Sequence, residues 1–201
     1  LVFATLFASL LLVGTISSQS FGMGDHMFVS DWGDFGLIDD GEFLSPQQLA
    51  SDDEGNIYVA DSGNARIQKF TSDGQFLASW GVKGSENGQF EYPSGITTYE
   101  NFIYVVDKKL NKVQKFDSDG NFILKWGVVG NDPGQFSSPH GIEIDSNGIV
   151  YVADTKNYRI QQFTTDGEFL SAFGKFGPSD GALRSPIDVT VYENYVYVAD
   201  P

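Results

Sequence analysis

The 201-residue chain has no cysteine. That removes disulfides, thiolate metal sites, a cysteine nucleophile and a lipidated N-terminal cysteine together, and leaves packing as the source of stability. Cations are scarce: 12 Lys and Arg stand against 27 Asp and Glu, for a formal net charge of -15. A surface of that sign repels phosphate backbones, so nucleic acid is not an expected partner. Acidity of this kind also serves simply to keep a protein soluble. Histidine is limited to His26 and His140. No helical periodicity stands out beyond the first residues, and no Ser-His-Asp set or phosphate-cradling glycine loop is legible, because the glycines follow a repeat phase rather than a strand-to-helix junction.

The first twenty residues carry no charge, and Leu1 to Val13 are apolar apart from Thr5 and Ser9, followed by small and polar residues to Ser20. This has the form of a secretory signal's apolar core and cleavage region, shorter than the roughly 20 residues of a membrane span. Residues 1–20 are therefore expected to be a signal peptide or apolar leader, with the mature protein starting near Gln19 or Phe21. The expected location is secreted or extracytoplasmic, with membrane attachment only through an uncleaved leader. The chain does not begin with Met and lacks a basic segment before the apolar run, which predicts a longer reading frame.

What the chain has in abundance is repetition. Pro46, Pro93, Pro139 and Pro186 step by 46 or 47 residues, and so do Asp61, Asp107, Asp154 and Asp200. A period in this range marks a repeat architecture in which each unit buries its apolar surface against its neighbours. Units are expected at about 43–81, 90–127, 136–174 and 183–201 within a domain spanning 27–201.

Inside each unit, short runs of β-branched and aromatic residues alternate with turn formers. The first unit reads as Leu49 to Ser51, a turn at Glu54-Gly55, Asn56 to Ala60, a loop at Ser62-Gly63-Asn64, Arg66 to Phe70, a turn at Asp73-Gly74, and Gln75 to Trp80. Asp73-Gly74, Asp119-Gly120 and Asp166-Gly167 predict two-residue type I′ hairpins. The second strand is apolar on both faces, which requires sheets stacked on either side. The third, Arg66 to Phe70, mixes polar and apolar residues, as expected farther from the axis. Four-stranded antiparallel sheets stacked around an axis are propeller blades. The fold class is thus all-β, a β-propeller, with about three and a half blades here. Met27 to Trp32 is expected to act as the outer strand of the last blade and close the ring.

Tyr58 to Phe70 (YVADSGNARIQKF) and Tyr151 to Phe163 (YVADTKNYRIQQF) resemble the NHL repeat. The resemblance implies a six-bladed disc when complete. It also implies one of several roles: RNA or protein binding, an extracellular receptor module, or a peptide-amidating lyase with a zinc propeller. The second unit departs from the motif, with Leu110 in place of the Asn and Lys112 in place of the Arg, which predicts a differently shaped loop.

Strand order places the residues after each repeat proline at the mouth of the central channel, where closed β architectures take ligands. Candidate ligand-binding residues are Gln47, Ser94, His140 and Asp188. His140 matches the Pro-His context of zinc histidines in the amidating lyase, but Gln47, Ser94 and Ile187 occupy the equivalent positions, and catalytic zinc needs three protein ligands. A lyase tyrosine two residues after the strand-ending Asp is replaced by Gly63, Lys109 and Lys156. Zinc or calcium is possible, but no cofactor is expected. The repeated Asp is read as a turn acceptor braced by Arg66 and Arg159 rather than as part of a calcium ring. The sequence Asp117 to Asn121 reads as a hairpin turn rather than a calcium loop. Trp32, Trp80 and Trp126 are read as packing between blades rather than as sugar platforms. The expected function is a non-catalytic module binding a protein, peptide or glycan through one face of the disc. The alternative is a metal-dependent lyase or hydrolase with its site near His140.

Overall fold

The computed structural model describes residues 31–36, 39–193 and 195–201. The expected leader, residues 1–20, and Met27 to Ser30 of the expected closing strand lie outside the described residues. No helix among the described residues is long and apolar enough to cross a membrane.

A parallel pair, β1 (Asp34–Phe35) and β2 (Glu42–Phe43), precedes the first blade. Blade I holds β3 (Pro46–Ser51), β4 (Ile57–Asp61), β5 (Arg66–Phe70) and β6 (Phe76–Trp80). Blade II holds β7 (Pro93–Tyr99), β8 (Phe102–Asp107), β9 (Lys112–Asp117) and β10 (Phe122–Trp126). Blade III holds β11 (Pro139–Ile144), β12 (Val150–Asp154), β13 (Arg159–Phe163) and β14 (Phe169–Phe173). Blade IV is the pair β15 (Asp188–Tyr192) and β16 (Tyr195–Ala199). Strand order within each sheet follows the chain, and every pairing within a blade is antiparallel.

The inner strands of blades I to III start at the repeat prolines, three residues earlier than Leu49 suggests. Pro46 pairs with Asp61 across an irregularity that ends at Leu49, and a strand's first position tolerates the missing N–H. The second strands are buried on both faces as expected: Tyr58 to Asp61 and all of β12 are buried.

The Asp-Gly turns are not type I′. Only the glycines Gly74, Gly120 and Gly167 have positive φ, between 83° and 85°. The Gly120 N–H donates to the Asp117 carbonyl and the Asp117 N–H to the Asn121 carbonyl, which is a type I turn closed by a left-handed glycine. The residue opening the turn selects it. The Asp117 carboxylate accepts from the Asp119 and Asn121 amides, and Thr71 and Thr164 hydroxyls do the same for Gln75 and Glu168.

The core lies between blades, not within them. Tyr58, Ala60 and Ile67 of blade I pack with Phe90, Ile96, Ile103 and Phe116 at blade II, and an equivalent cluster joins blades II and III. Trp80 sits 6.0 Å from the Phe116 ring, and its ring would lie 2.7 Å from a Cβ on Gly120 in the next blade. Trp126 repeats this on Phe163 and Gly167, and Trp32 on Phe70 and Gly74. Trp32 therefore fills the slot that outer-strand tryptophans fill elsewhere. Lysines make a second link in the same direction: Lys69 Nζ reaches the Ser118 carbonyl, and Lys115 Nζ reaches the Thr165 carbonyl and Asp166.

Candidate functional site

Antiparallel strand order puts the loops between second and third strands on the same face as the linkers joining blades. Backbone bonds confirm the juxtaposition: the amides of Gly63, Lys108 and Lys156 donate to the carbonyls of Leu44, Tyr92 and Ser137. This linker face also holds the starts of the inner strands.

Each corner of that face is built on the strand-ending Asp. Asp154 is fully buried, and its carboxylate accepts from the Ser137 amide at 2.7 Å, Asn157 Nδ2 at 2.8 Å, Arg159 Nε at 2.8 Å and Gln161 Nε2 at 2.9 Å. Asp61 repeats the set with the Leu44 amide, Asn64, Arg66 and Gln68. The backbone donor lies 17 residues upstream, at the end of the linker, and so not in the following turn as the sequence reading supposed. Asp107 alone follows that reading in part. It accepts from the Lys109 and Leu110 amides as well as from Glu91 and Tyr92. The second unit's loop differs as expected, with a four-residue turn where the other two units have 3-10 turns at Ser62–Asn64 and Thr155–Asn157. These carboxylates are saturated by protein donors, so they serve architecture.

The third strands lie outside the second strands as expected, yet their polar residues are internal. Gln68, Gln114 and Gln161 are fully buried. Each accepts from a linker glycine amide and donates to a linker carbonyl: Gly41 and Glu42, Gly88 and Gln89, Gly134 and Gln135. Third strands thus fasten the linkers, and with them the whole face.

At the mouth, the structure joins three of the four residues singled out by sequence. Ser94 is buried and its hydroxyl donates to the His140 carbonyl at 3.1 Å. Asp188 accepts from Gln48 Nε2 at 3.1 Å, while Gln48 Oε1 accepts from the Ile96 amide at 2.8 Å. The His140 ring lies beside the Ile187 backbone. Gln47 stands apart, exposed, with its amide donating to the Ser45 and Pro46 carbonyls. Two glycines permit this closeness. A Cβ on Gly141 would lie 2.8 Å from Asp188 Cα, and one on Gly95 would meet the His140 carbonyl and sit 3.2 Å from Gly141 Cα.

Burial, and then the charge of Lys108, push the His140 imidazole below its ordinary pKa. Glu143, which sequence reasoning missed, lies on the same inner strand; burial and then Asp188 push its carboxyl up to about 7. The available signal is a lone carboxylate between Ile142 and Ile144 in an inner strand. Among the described residues, no three His, Cys, Asp or Glu side chains are grouped to hold a metal ion.

Around the mouth, linker tips present apolar side chains to solvent. Phe35 is 74%, Val129 74% and Phe176 68% exposed. Each tip is rigid: the Gly36 and Gly130 amides donate to the Phe43 and Phe136 carbonyls, and Val129 and Phe176 form parallel bridges to Phe136 and Leu183.

The profile of the NHL repeat matches residues 43–70 and 136–163, both of them complete second-to-third-strand corners of the kind just described. The chain carries two NHL repeats in a propeller fold. An LVIVD repeat profile also matches this NHL-repeat chain, over residues 184–201. It is 34% identical over 70 residues to the Drosophila melanogaster Protein brain tumor, covering 35% of this chain and 7% of that protein. Among solved structures it is similar to a streptogramin B lyase, with a TM-score of 0.60, 20% identity, and coverage of 77% of this chain and 48% of the lyase chain. A chain of a nidogen/laminin complex gives a TM-score of 0.59 at 21% identity, covering 79% of this chain and 56% of the other. A virginiamycin B lyase from Staphylococcus aureus gives 0.59 at 16% identity, covering 77% and 48%. The NHL-repeat chain thus spans a small part of its curated relative and about half of these solved chains. The structural likenesses are of fold.

Proposed function

We propose that this NHL-repeat propeller is an exported, non-catalytic module that binds a protein, peptide or glycan through its linker face. The observation that carries this reading is the row of exposed apolar residues Phe35, Val129 and Phe176. They are held at three of the four linkers by backbone bonds that keep them out of the core, with Lys83 in the equivalent place on the remaining linker. Isolated exposed apolar residues are ordinary, but a set fixed at equivalent positions on one face has the character of an interaction surface. Gln47 and His140 form the rim of the mouth within that face, with Ser94 and Asp188 behind them as positioning residues. One of the similar solved structures is a nidogen/laminin complex, a protein assembly, which favours a protein partner.

The test is binding of candidate extracellular proteins to the full chain and to the V129D/F176D variant. Loss of binding in the variant, with unchanged unfolding, is expected; equal binding refutes the linker face as the site. Export predicts that a precursor loses its leader near Gln19 or Phe21, read by N-terminal sequencing of secreted material.

His140 and Glu143 on one inner strand, each within electrostatic reach of Asp188, favour a second reading, a lyase or hydrolase acting at the mouth. Zinc measured in the purified protein at near one equivalent, and lost with His140→Ala, would shift the function to that reading.

A further inference from the structure

Charge is divided unequally between the two faces. The turn segments 52–56, 71–75, 100–101, 117–121, 145–149 and 164–168, all on the face opposite the linkers, carry ten carboxylates and no Lys or Arg. The lysines that reach this face from strands, Lys69 and Lys115, are held by turn carbonyls and lie over the Tyr58, Phe102 and Tyr104 rings. The linker face has the opposite balance from blade II onward. Segments 82–91, 108–111, 128–138, 155–158 and 175–185 hold four carboxylates and six cations. Lys112, at the start of the adjoining third strand, is spent on the Ser85 and Glu86 carbonyls. The six form no ion pair among the described residues; Lys83, Lys109, Lys156 and Lys175 among them are exposed, with Lys109 Nζ 5.7 Å from the Tyr92 ring centroid. A protein of net charge -15 thus gathers most of its cations that lack an ion pair on the face where Val129 and Phe176 are bare. Phe176 is there joined by the half-exposed Tyr158, at 4.8 Å between ring centroids.

We propose that the linker face of blades II to IV docks a protein segment that is both acidic and apolar. The inference deepens the binding reading above and rests on it. Apolar anchors entering between Val129 and the Tyr158–Phe176 pair would supply affinity. Carboxylates meeting Lys109 and Lys156 would set orientation and steer the encounter, while the acidic opposite face repels the same segment and leaves one productive side. Aliphatic tips such as Val82 and Val129 stack poorly with bases and suit peptide side chains better.

The experiment pans a random dodecapeptide phage library against the full chain. Synthetic copies of the enriched peptides are then measured by fluorescence anisotropy on the full chain and on the K109E/K156E and V129D/F176D variants. An oligouridine serves as the nucleic-acid probe. Expected are enriched peptides with net negative charge and aromatic or aliphatic anchors. Their affinity should fall about 10-fold or more in either variant, with the electrostatic share shrinking as salt is raised. Neutral or basic peptides that lose binding in V129D/F176D but not in K109E/K156E would overturn the acidic partner and leave the face reading standing. Peptides indifferent to both variants, or no enrichment, would overturn both. Oligouridine bound more tightly than the peptides, and lost with K109E/K156E, would replace the protein partner by a single-stranded nucleic acid.

Discussion

Replacing Asp154 by asparagine should cost far more than the same change at Asp107, although both aspartates are fully buried at equivalent corners. At Asp154, Oδ2 accepts from Arg159 Nε, Asn157 Nδ2 and Gln161 Nε2, while Oδ1 accepts from the Ser137 amide. An asparagine can keep Oδ1, but its new NH₂ then faces three donors. The charge-assisted bond with Arg159 is worth about 1.5–3 kcal/mol, and each stranded buried donor adds about 1 kcal/mol. The sum is about 3–5 kcal/mol. At Asp107 the partners are backbone amides only, and Oδ1 alone can retain those of Lys109 and Leu110. The main loss there is the Glu91 amide bond to Oδ2, about 1–2 kcal/mol. With a urea m-value near ~2 kcal/mol/M, the unfolding midpoint should drop by roughly 2 M for Asp154→Asn and by under ~1 M for Asp107→Asn. Equal shifts, or a drop under ~0.5 M for Asp154→Asn, would refute the claim that the carboxylate's side-chain donors hold the corner.

Two further outcomes follow from the mouth. Gly141→Ala should lower stability by about 1–3 kcal/mol, because its Cβ meets the Asp188 backbone of the next inner strand at 2.8 Å; thermal unfolding reads this, and no loss would mean that the inner strands separate freely. Glu143 has its folded pKa raised from 4.5 to about 7, so the folded state keeps a proton that the unfolded state releases. Stability should then fall as pH rises from about 4.5 to about 7. Glu143→Gln should be more stable than the parent protein at pH 8, with the gain vanishing near pH 4; a pH-independent difference would sink the assignment.

Architecture was readable from sequence because its determinants are local and recur: the strand-ending Asp, the glycine closing each hairpin, and a second strand apolar on both faces. Trp80 and Trp126 were readable for the same reason, since only a repeating slot explains their spacing. The turn type was not, because an Asp-Gly pair fits two hairpin geometries and the side chain that chooses, Asp117 or Thr71, stands before it. The burial of Gln68, Gln114 and Gln161 was not legible, because the carbonyls that satisfy them come from linkers 25 or 26 residues upstream. The environments of His140 and Glu143 depend on Ile187 and Asp188, which a fold brings from the neighbouring blade. Chemistry at the axis is thus a property of pairs of blades, and a single unit does not encode it.

The tryptophan and lysine contacts between blades all point one way, from an outer or third strand to the hairpin turn of the following unit. Such head-to-tail joints are heterologous, so they carry no built-in stopping number; the angle at each joint alone decides when a ring meets itself. Units cut at the same phase should therefore be interchangeable parts. An in-frame duplication of one 46- or 47-residue period would meet familiar surfaces on both sides, which gives such proteins a route to changing size, and with it the breadth of the axis, without inventing a new interface.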